Sequence, residues 1–507
     1  MVEGYAEKFT DKAGLEVKRN VSYVSYTFVL FVMLTVFLYY KVPRSWQWRL
    51  LLMASFVFYI YYGFIYLIYL SLFAFVTWYS AGKIEGYLER GKHSGFRRFV
   101  LAVMILFNLA TLFILKWAGM EIAFMNRLFG MRLAWHFILP LGMSFFTFQN
   151  VSYLIDVYNG KIPAEKNFGH YLLYSTYFPY IVSGPINRYE HMEKQFYIGH
   201  SFRKDMFYSA VLRILWGYLK KMVIADRAAI FVDQVFDHYY MYRGLFVLFA
   251  VLLFSLQLYM DFSGCMDIVI GVSQLFGIDM KENFMAPYGA DTVAEFWRRW
   301  HMSLTSWFRD YLYIPLGGNR QGKFRKYLNI MLVFLLCGAW HGAGFTFLIW
   351  GFLNGFYQIV GDMTAKIRRR LCYAVGLDET SYGAVLRKRL ITFLSVEFAW
   401  LFFRANGIHE AFAMIRRMFT GWNPWILSDG TLYEVGLDIW DFLILLMGTV
   451  CISLVSHFGR RKNLHYIFMK QSWLCQICII ILTIVIWYLF GIYGPGYDSA
   501  NFIYYNF

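Results

Sequence analysis

Two histidines stand out for the chemistry they can do. His341 ends an apolar run, Leu335-Leu-Cys-Gly-Ala-Trp-His-Gly-Ala-Gly344, and has small residues on both sides. Gly338, Ala339, Gly342, Ala343 and Gly344 let another backbone, or a thin ligand, approach closely. A buried imidazole stays neutral and can take a proton, as a general base must. His301 lies 40 residues earlier, in Glu295-Phe-Trp-Arg-Arg-Trp-His-Met-Ser-Leu-Thr-Ser-Trp-Phe-Arg-Asp-Tyr-Leu-Tyr313. Trp297, Trp300, His301, Leu304, Phe308, Tyr311 and Leu312 recur there at helical spacing and predict one helix with an aromatic face. Arg298, Arg299, Ser306 and Arg309 take its other sides, so the helix either lies along a membrane interface or lines a cavity. One histidine on an apolar face is more often a satisfied core residue than a ligand. Two of them, bracketed by Arg320, Lys323, Arg325 and Lys326, point to proton transfer beside a charged substrate.

Polar groups elsewhere sit where they are expensive. An ionisable side chain within an apolar segment costs about 2.5–3.5 kcal/mol on insertion scales. Asp261, Ser263 and Asp267 follow a strongly apolar stretch. They line a polar cavity, pair with arginines, or cap a helix starting near Ser263. In Phe178-Pro-Tyr-Ile-Val-Ser-Gly-Pro-Ile-Asn-Arg188 two prolines and a glycine break the helix within a hydrophobic run. The break is either a surface re-entrant turn or the wall of a wet cavity. Other chemistries leave no trace. HExxH, HxxxH, GxSxG, a Walker A loop and a GxGxxG after a strand are all absent. No metal-ligand spacing joins the histidines, and acyl transfer by a neutral histidine needs no metal.

The elements that must hold these residues are membrane helices. Hydrophobic residues make up 59% of the 507-residue chain and aromatics 21%, while charged residues are only 16%. A soluble protein averages about 45–50% apolar residues and could not hide this much apolar surface. Apolar segments of spanning length occur at 21–40, 50–80 (two short spans), 98–117, 133–157, 244–262, 327–340, 344–361, 390–403, 437–456 and 473–493. A further helical stretch, 207–235, is interrupted by Lys220 and Lys221. The expected fold is all-α and multi-pass, with about 10–12 spans plus re-entrant or interfacial helices. A polar segment, residues 1–20, precedes one membrane domain over 21–507, and no linker or internal repeat divides it.

The net charge of +16 belongs mainly to loops on the cytoplasmic side, not to a nucleic-acid site. Basic clusters at 41–49, 83–98, 320–326, 366–370, 387–389 and 460–462 put the N-terminus outside, with a tight outer turn near Gly63. Residues 1–20 lack the features of a signal peptide. Most of the six cysteines lie in apolar segments and, with the CxxC of Cys475 and Cys478, read as small apolar residues, and none suggests a metal site.

In these residues the chain resembles the membrane-bound O-acyltransferase family from about residue 22 to its end. It is most similar to the branch holding the membrane subunit of alginate O-acetylation and the D-alanyl transfer protein of lipoteichoic acid. The resemblance rests on 295–322 and 329–351, with support from 139–160, 177–189, 259–278, 399–405 and the aromatic tail 501–507. It implies a ring of helices around a central funnel or tunnel with a histidine at its thin centre. The family's catalytic histidine falls on His341. A second position, often His or Asn, falls on His301. The stretch Ile314-Pro-Leu-Gly-Gly-Asn-Arg320 resembles the O-acetyl side, and Ser183-Gly-Pro-Ile-Asn-Arg-Tyr189 the D-alanyl side.

The expected activity is O-acyl transfer, acetyl first and D-alanyl second, from a cytoplasmic thioester to a hydroxyl of a cell-envelope glycan or a relay partner. A transporter or a non-catalytic scaffold are the competing readings. The donor is acetyl-CoA or an acyl-carrier protein, and no bound cofactor or metal is expected. Trp297, Trp300, Arg298, Arg309, Asn319, Arg320 and Trp340 are candidates for the donor tunnel. The resemblance also implies residence in a bacterial cell membrane and an extracytoplasmic partner of the SGNH-hydrolase type.

Overall fold

The structure is a computed structural model describing residues 22–89, 94–129, 142–461 and 464–494, together with Tyr497 and Phe502. The polar segment 1–20, Arg90 and Lys92, the start of the 133–157 segment and most of the 501–507 tail lie outside the described residues. Every regular element described is helical. This is an all-α integral membrane protein of several passes. Among the described residues five helices are long and apolar enough to cross a bilayer: Phe64–Tyr87, Gly95–Trp117, Leu245–Leu275, Ile439–Ser456 and Trp473–Phe490.

The outward surface is apolar, as a lipid-facing surface must be. In the helix Tyr26–Lys41, Phe28, Val32, Val36 and Tyr39 are buried while Leu30, Met33, Leu34 and Phe37 stand exposed. One face packs on protein and the other is shaped for hydrocarbon. The 50–80 segment does form two helices, Gln47–Tyr62 and Phe64–Glu89, joined at Gly63.

Three expectations are corrected. The segment 295–313 is not one helix. It forms Val293–Arg299 and Met302–Phe308, broken at Trp300 and His301, then a wide π-turn over Arg309–Tyr313. Ser263 caps no helix either. It lies inside Leu245–Leu275, a continuous helix of 31 residues, with Asp261 and Asp267. At 1.5 Å per residue that helix is about 46 Å long, more than a bilayer's apolar core. The 178–188 break exists, and it is not on the surface: Phe178, Tyr180, Ile181 and Ser183 are fully or almost fully buried. Lys220 and Lys221 sit in a second π-turn, Leu219–Ala225, between the helices Lys204–Tyr218 and Asp226–Asp237.

The helix Gly322–His341 carries His341 on its last turn and returns as Phe345–Ala374. The two cross at glycines. A Cβ on Gly338 would lie 2.3 Å from the carbonyl oxygen of Phe347, and one on Gly351 would lie 2.4 Å from that of Phe334. The small residues beside His341 therefore admit a neighbouring backbone. Gly338→Ala should lower the melting temperature of the detergent-purified protein, because overpacking at such a crossing costs about 1–3 kcal/mol. An unchanged melting temperature would show that the helices can slide apart freely.

Candidate active site

The two histidines meet through one ring. Trp340 lies 4.6 Å from the ring of His341 and 6.4 Å from that of His301, between centroids. His341 is 5% exposed, with Trp350 and Phe403 each 5.1 Å away, edge to face. Trp350 stacks on Trp400 at 5.8 Å, and Trp400 lies 5.2 Å from Trp300. Trp297 closes the same cage against Trp350 at 5.5 Å and donates from Nε1 to Asn354 Oδ1 (2.9 Å). An indole buried among apolar rings needs such a partner for its one donor. Trp297, Trp300 and Trp340 thus all belong to the aromatic walls around the histidines. Arg298, Arg309, Asn319 and Arg320 do not. They are exposed, and Arg309 pairs with its neighbour Asp310 at 2.9 Å.

The break in the 293–308 segment is what presents His301. Its backbone is left-handed, with φ of 45°, and Ala286 shares that value; they are the two non-glycine residues with positive φ among those described. Breaking a helix orphans its N–H and C=O groups. The irregular stretch 283–285 takes them up. Met302 donates to the Asn283 carbonyl and Met285 to the Arg299 carbonyl, both at 2.9 Å. The Asn283 side chain then caps the second helix, accepting from the Ser303 N–H at 2.9 Å, and the same oxygen lies 3.3 Å from His301 Nδ1. Asn283 therefore orients the imidazole and holds the helix start together. Strained backbone of this sort persists only where its surroundings over-determine it, and it gathers at functional sites.

On its far side Asn283 faces a polar cavity of about 210 Å³. Ser263, Asp267, Lys220 and Glu282 also line it. Asp267 takes an ion pair from Lys220 (2.7 Å) and another from Arg213 (3.2 Å). Asp261 faces elsewhere. Lys221 bridges it (2.6 Å) to Asp226 (2.7 Å), and the Lys221 and Asp261 side chains are each 2% exposed. The Tyr497 hydroxyl donates to Asp226 at 2.9 Å, and the Phe502 ring lies 4.3 Å from the Lys221 ammonium.

Sequence reasoning missed two residues here. The Lys116 ammonium donates to the carbonyl of Trp340 and lies 5.2 Å from the centre of its ring. A cation at a helix C-terminus satisfies an orphan carbonyl and complements the dipole. The available signal was a lysine near the end of the otherwise apolar 98–117 segment. Asn283 gave no signal beyond being an amide in a loop.

The sequence model of the membrane-bound O-acyltransferase family matches residues 163–394, a span that contains both histidines. A probable alginate O-acetylase AlgI of Pseudomonas putida is 38% identical over 409 residues, covering 79% of this chain and 80% of that protein. This chain belongs to the membrane-bound O-acyltransferase family. It is an O-acyltransferase embedded in the membrane. A peptidoglycan O-acetyltransferase of Helicobacter pylori is 32% identical over 408 residues, 74% of this chain and 73% of that one. A teichoic acid D-alanyltransferase of Bacillus subtilis is 27% identical over 283 residues, 53% of this chain and 70% of that one. The family membership also removes the transporter and scaffold readings.

Proposed function

We propose that this O-acyltransferase moves an acetyl group from a cytoplasmic thioester, acetyl-CoA, to a hydroxyl of a cell-envelope glycan or of a relay protein. One observation carries the chemical reading: two buried histidines from separate helical segments flank one tryptophan ring inside a closed aromatic cage. His341 takes the proton of the acceptor hydroxyl. The oxygen attacks the thioester carbonyl, an ester forms, and the C–S bond breaks. The departing thiolate then takes up the proton that His341 held. His301, turned by Asn283, binds the acceptor or polarises the carbonyl. The aromatic walls exclude water, which would otherwise hydrolyse the thioester.

The acetyl reading is supported by the two O-acetylating relatives, which match more of the chain, and at higher identity, than the D-alanylating one. The protein would hand its acyl group outward, and an SGNH-type extracytoplasmic protein is the relay partner that the resemblance implies. Purified protein in lipid nanodiscs, given acetyl-CoA labelled in the acetyl group and an acceptor glycan or relay protein, should transfer label to the acceptor. Transfer from a D-alanyl carrier protein and none from acetyl-CoA would overturn the acetyl reading and favour the second donor.

A further inference from the structure

One buried side chain in the site region is left without a hydrogen-bond partner among the described residues. Gln149 is fully buried, and neither its Oε1 nor its Nε2 has a hydrogen-bond partner among the described residues. Its neighbour Asn150 shows the ordinary arrangement, accepting from the Tyr171 hydroxyl at 2.8 Å. Buried carboxamides are nearly always bonded, and one left bare asks for an explanation. Its position supplies one. Gln149 lies on the helix Met143–Tyr158, one turn after Phe145. The Phe145 ring lies 6.5 Å from His301 and 6.2 Å from Trp340. Phe148 packs on Trp307 at 4.3 Å. This helix therefore runs beside the 301–307 segment, and Gln149 lies about 6 Å along its axis from Phe145. Ser303 stands on the facing segment, buried, with its Oγ also unpartnered among the described residues.

We propose that the Gln149 carboxamide, together with the Ser303 hydroxyl, binds an amide group in the arm of the acyl donor one helical turn before the histidines. The inference rests on the thioester-donor reading above. A pantetheine thioester carries its nearest amide one ethylene unit beyond the sulfur. With the thioester carbonyl beside His341, that amide reaches the level of Gln149. A carboxamide offers both a donor and an acceptor, and so does the amide it would meet. Gln149 is thus a determinant of donor specificity, and the chemical class it selects is an amide-bearing thioester.

The test compares Gln149→Leu with the wild-type protein on three acetyl donors: acetyl-CoA, S-acetyl-N-acetylcysteamine, which keeps the nearest amide, and S-acetylethanethiol, which has none. The substitution should lower kcat/KM about tenfold for the first two and leave the third unchanged. Melting temperature should hold or rise, because the substitution removes an unsatisfied polar group. An equal loss on all three donors, or a loss on none, would overturn the inference while leaving the donor reading intact. Absence of transfer by the wild-type protein from any of the three would overturn both.

Discussion

Replacing His341 with alanine should lower acyl transfer by about 10²–10⁴-fold, the contribution of a positioned general base. The loss should appear in kcat, because the proposed role begins only when the acceptor hydroxyl starts to release its proton. The ring leaves a cage of Trp340, Trp350 and Phe403. Trp340 precedes it on the same helix, Trp350 and Phe403 come from two others, and all three keep their own packing, so the variant should remain folded. Monodisperse purification and a melting temperature near that of the wild type establish that point. A folded His341→Ala protein with wild-type turnover would remove His341 from the mechanism. His301→Ala should give a smaller loss, divided between KM and kcat, because that ring is proposed to bind or polarise.

The largest expected effect on stability lies at Lys221. Its ammonium is held between Asp261 and Asp226 at 2.6 and 2.7 Å, almost entirely out of solvent. Removing one member of a buried ion pair typically costs about 3–5 kcal/mol, because an uncompensated charge stays behind. Lys221→Met leaves two carboxylates facing each other and deprives the Phe502 ring of its cation. The variant should lose a large part of its thermal stability in detergent. Adding Asp261→Asn should restore some of it, since the second change removes one stranded charge. A double variant no more stable than Lys221→Met alone would show that the triad is not coupled in this way.

Much of the site was legible in the sequence, for identifiable reasons. His341 announced itself because an apolar run ends on it among glycines, and those glycines do mark a close crossing of helices. The 178–188 break was visible because proline and glycine act locally on the backbone. The break at His301 was not visible. Aromatic residues at helical spacing run through both short helices, so the pattern continues across a gap that only the Asn283 contacts create. The ion pairs were half visible. Asp261 and Asp267 stood out as costly, yet their partners Lys220, Lys221 and Arg213 lie some 40 to 54 residues away and meet them only once helices pack. Arg298, Arg309, Asn319 and Arg320 read as donor or tunnel candidates, the arginines for their charge near the donor's phosphates. All four lie on the surface, Asn319 and Arg320 in the turn that precedes the helix Gly322–His341.

The left-handed backbone at position 301 has a consequence for which residues can stand there. Asparagine, aspartate and histidine occupy that region several times more often than other non-glycine residues, and β-branched or bulky side chains are genuine outliers in it. The family resemblance implies a choice between His and Asn at this position. That choice follows the shape of the main chain as well as the chemistry of the ring. Any residue recruited to this spot must first accept the bend, and few polar side chains able to hydrogen-bond a substrate do so.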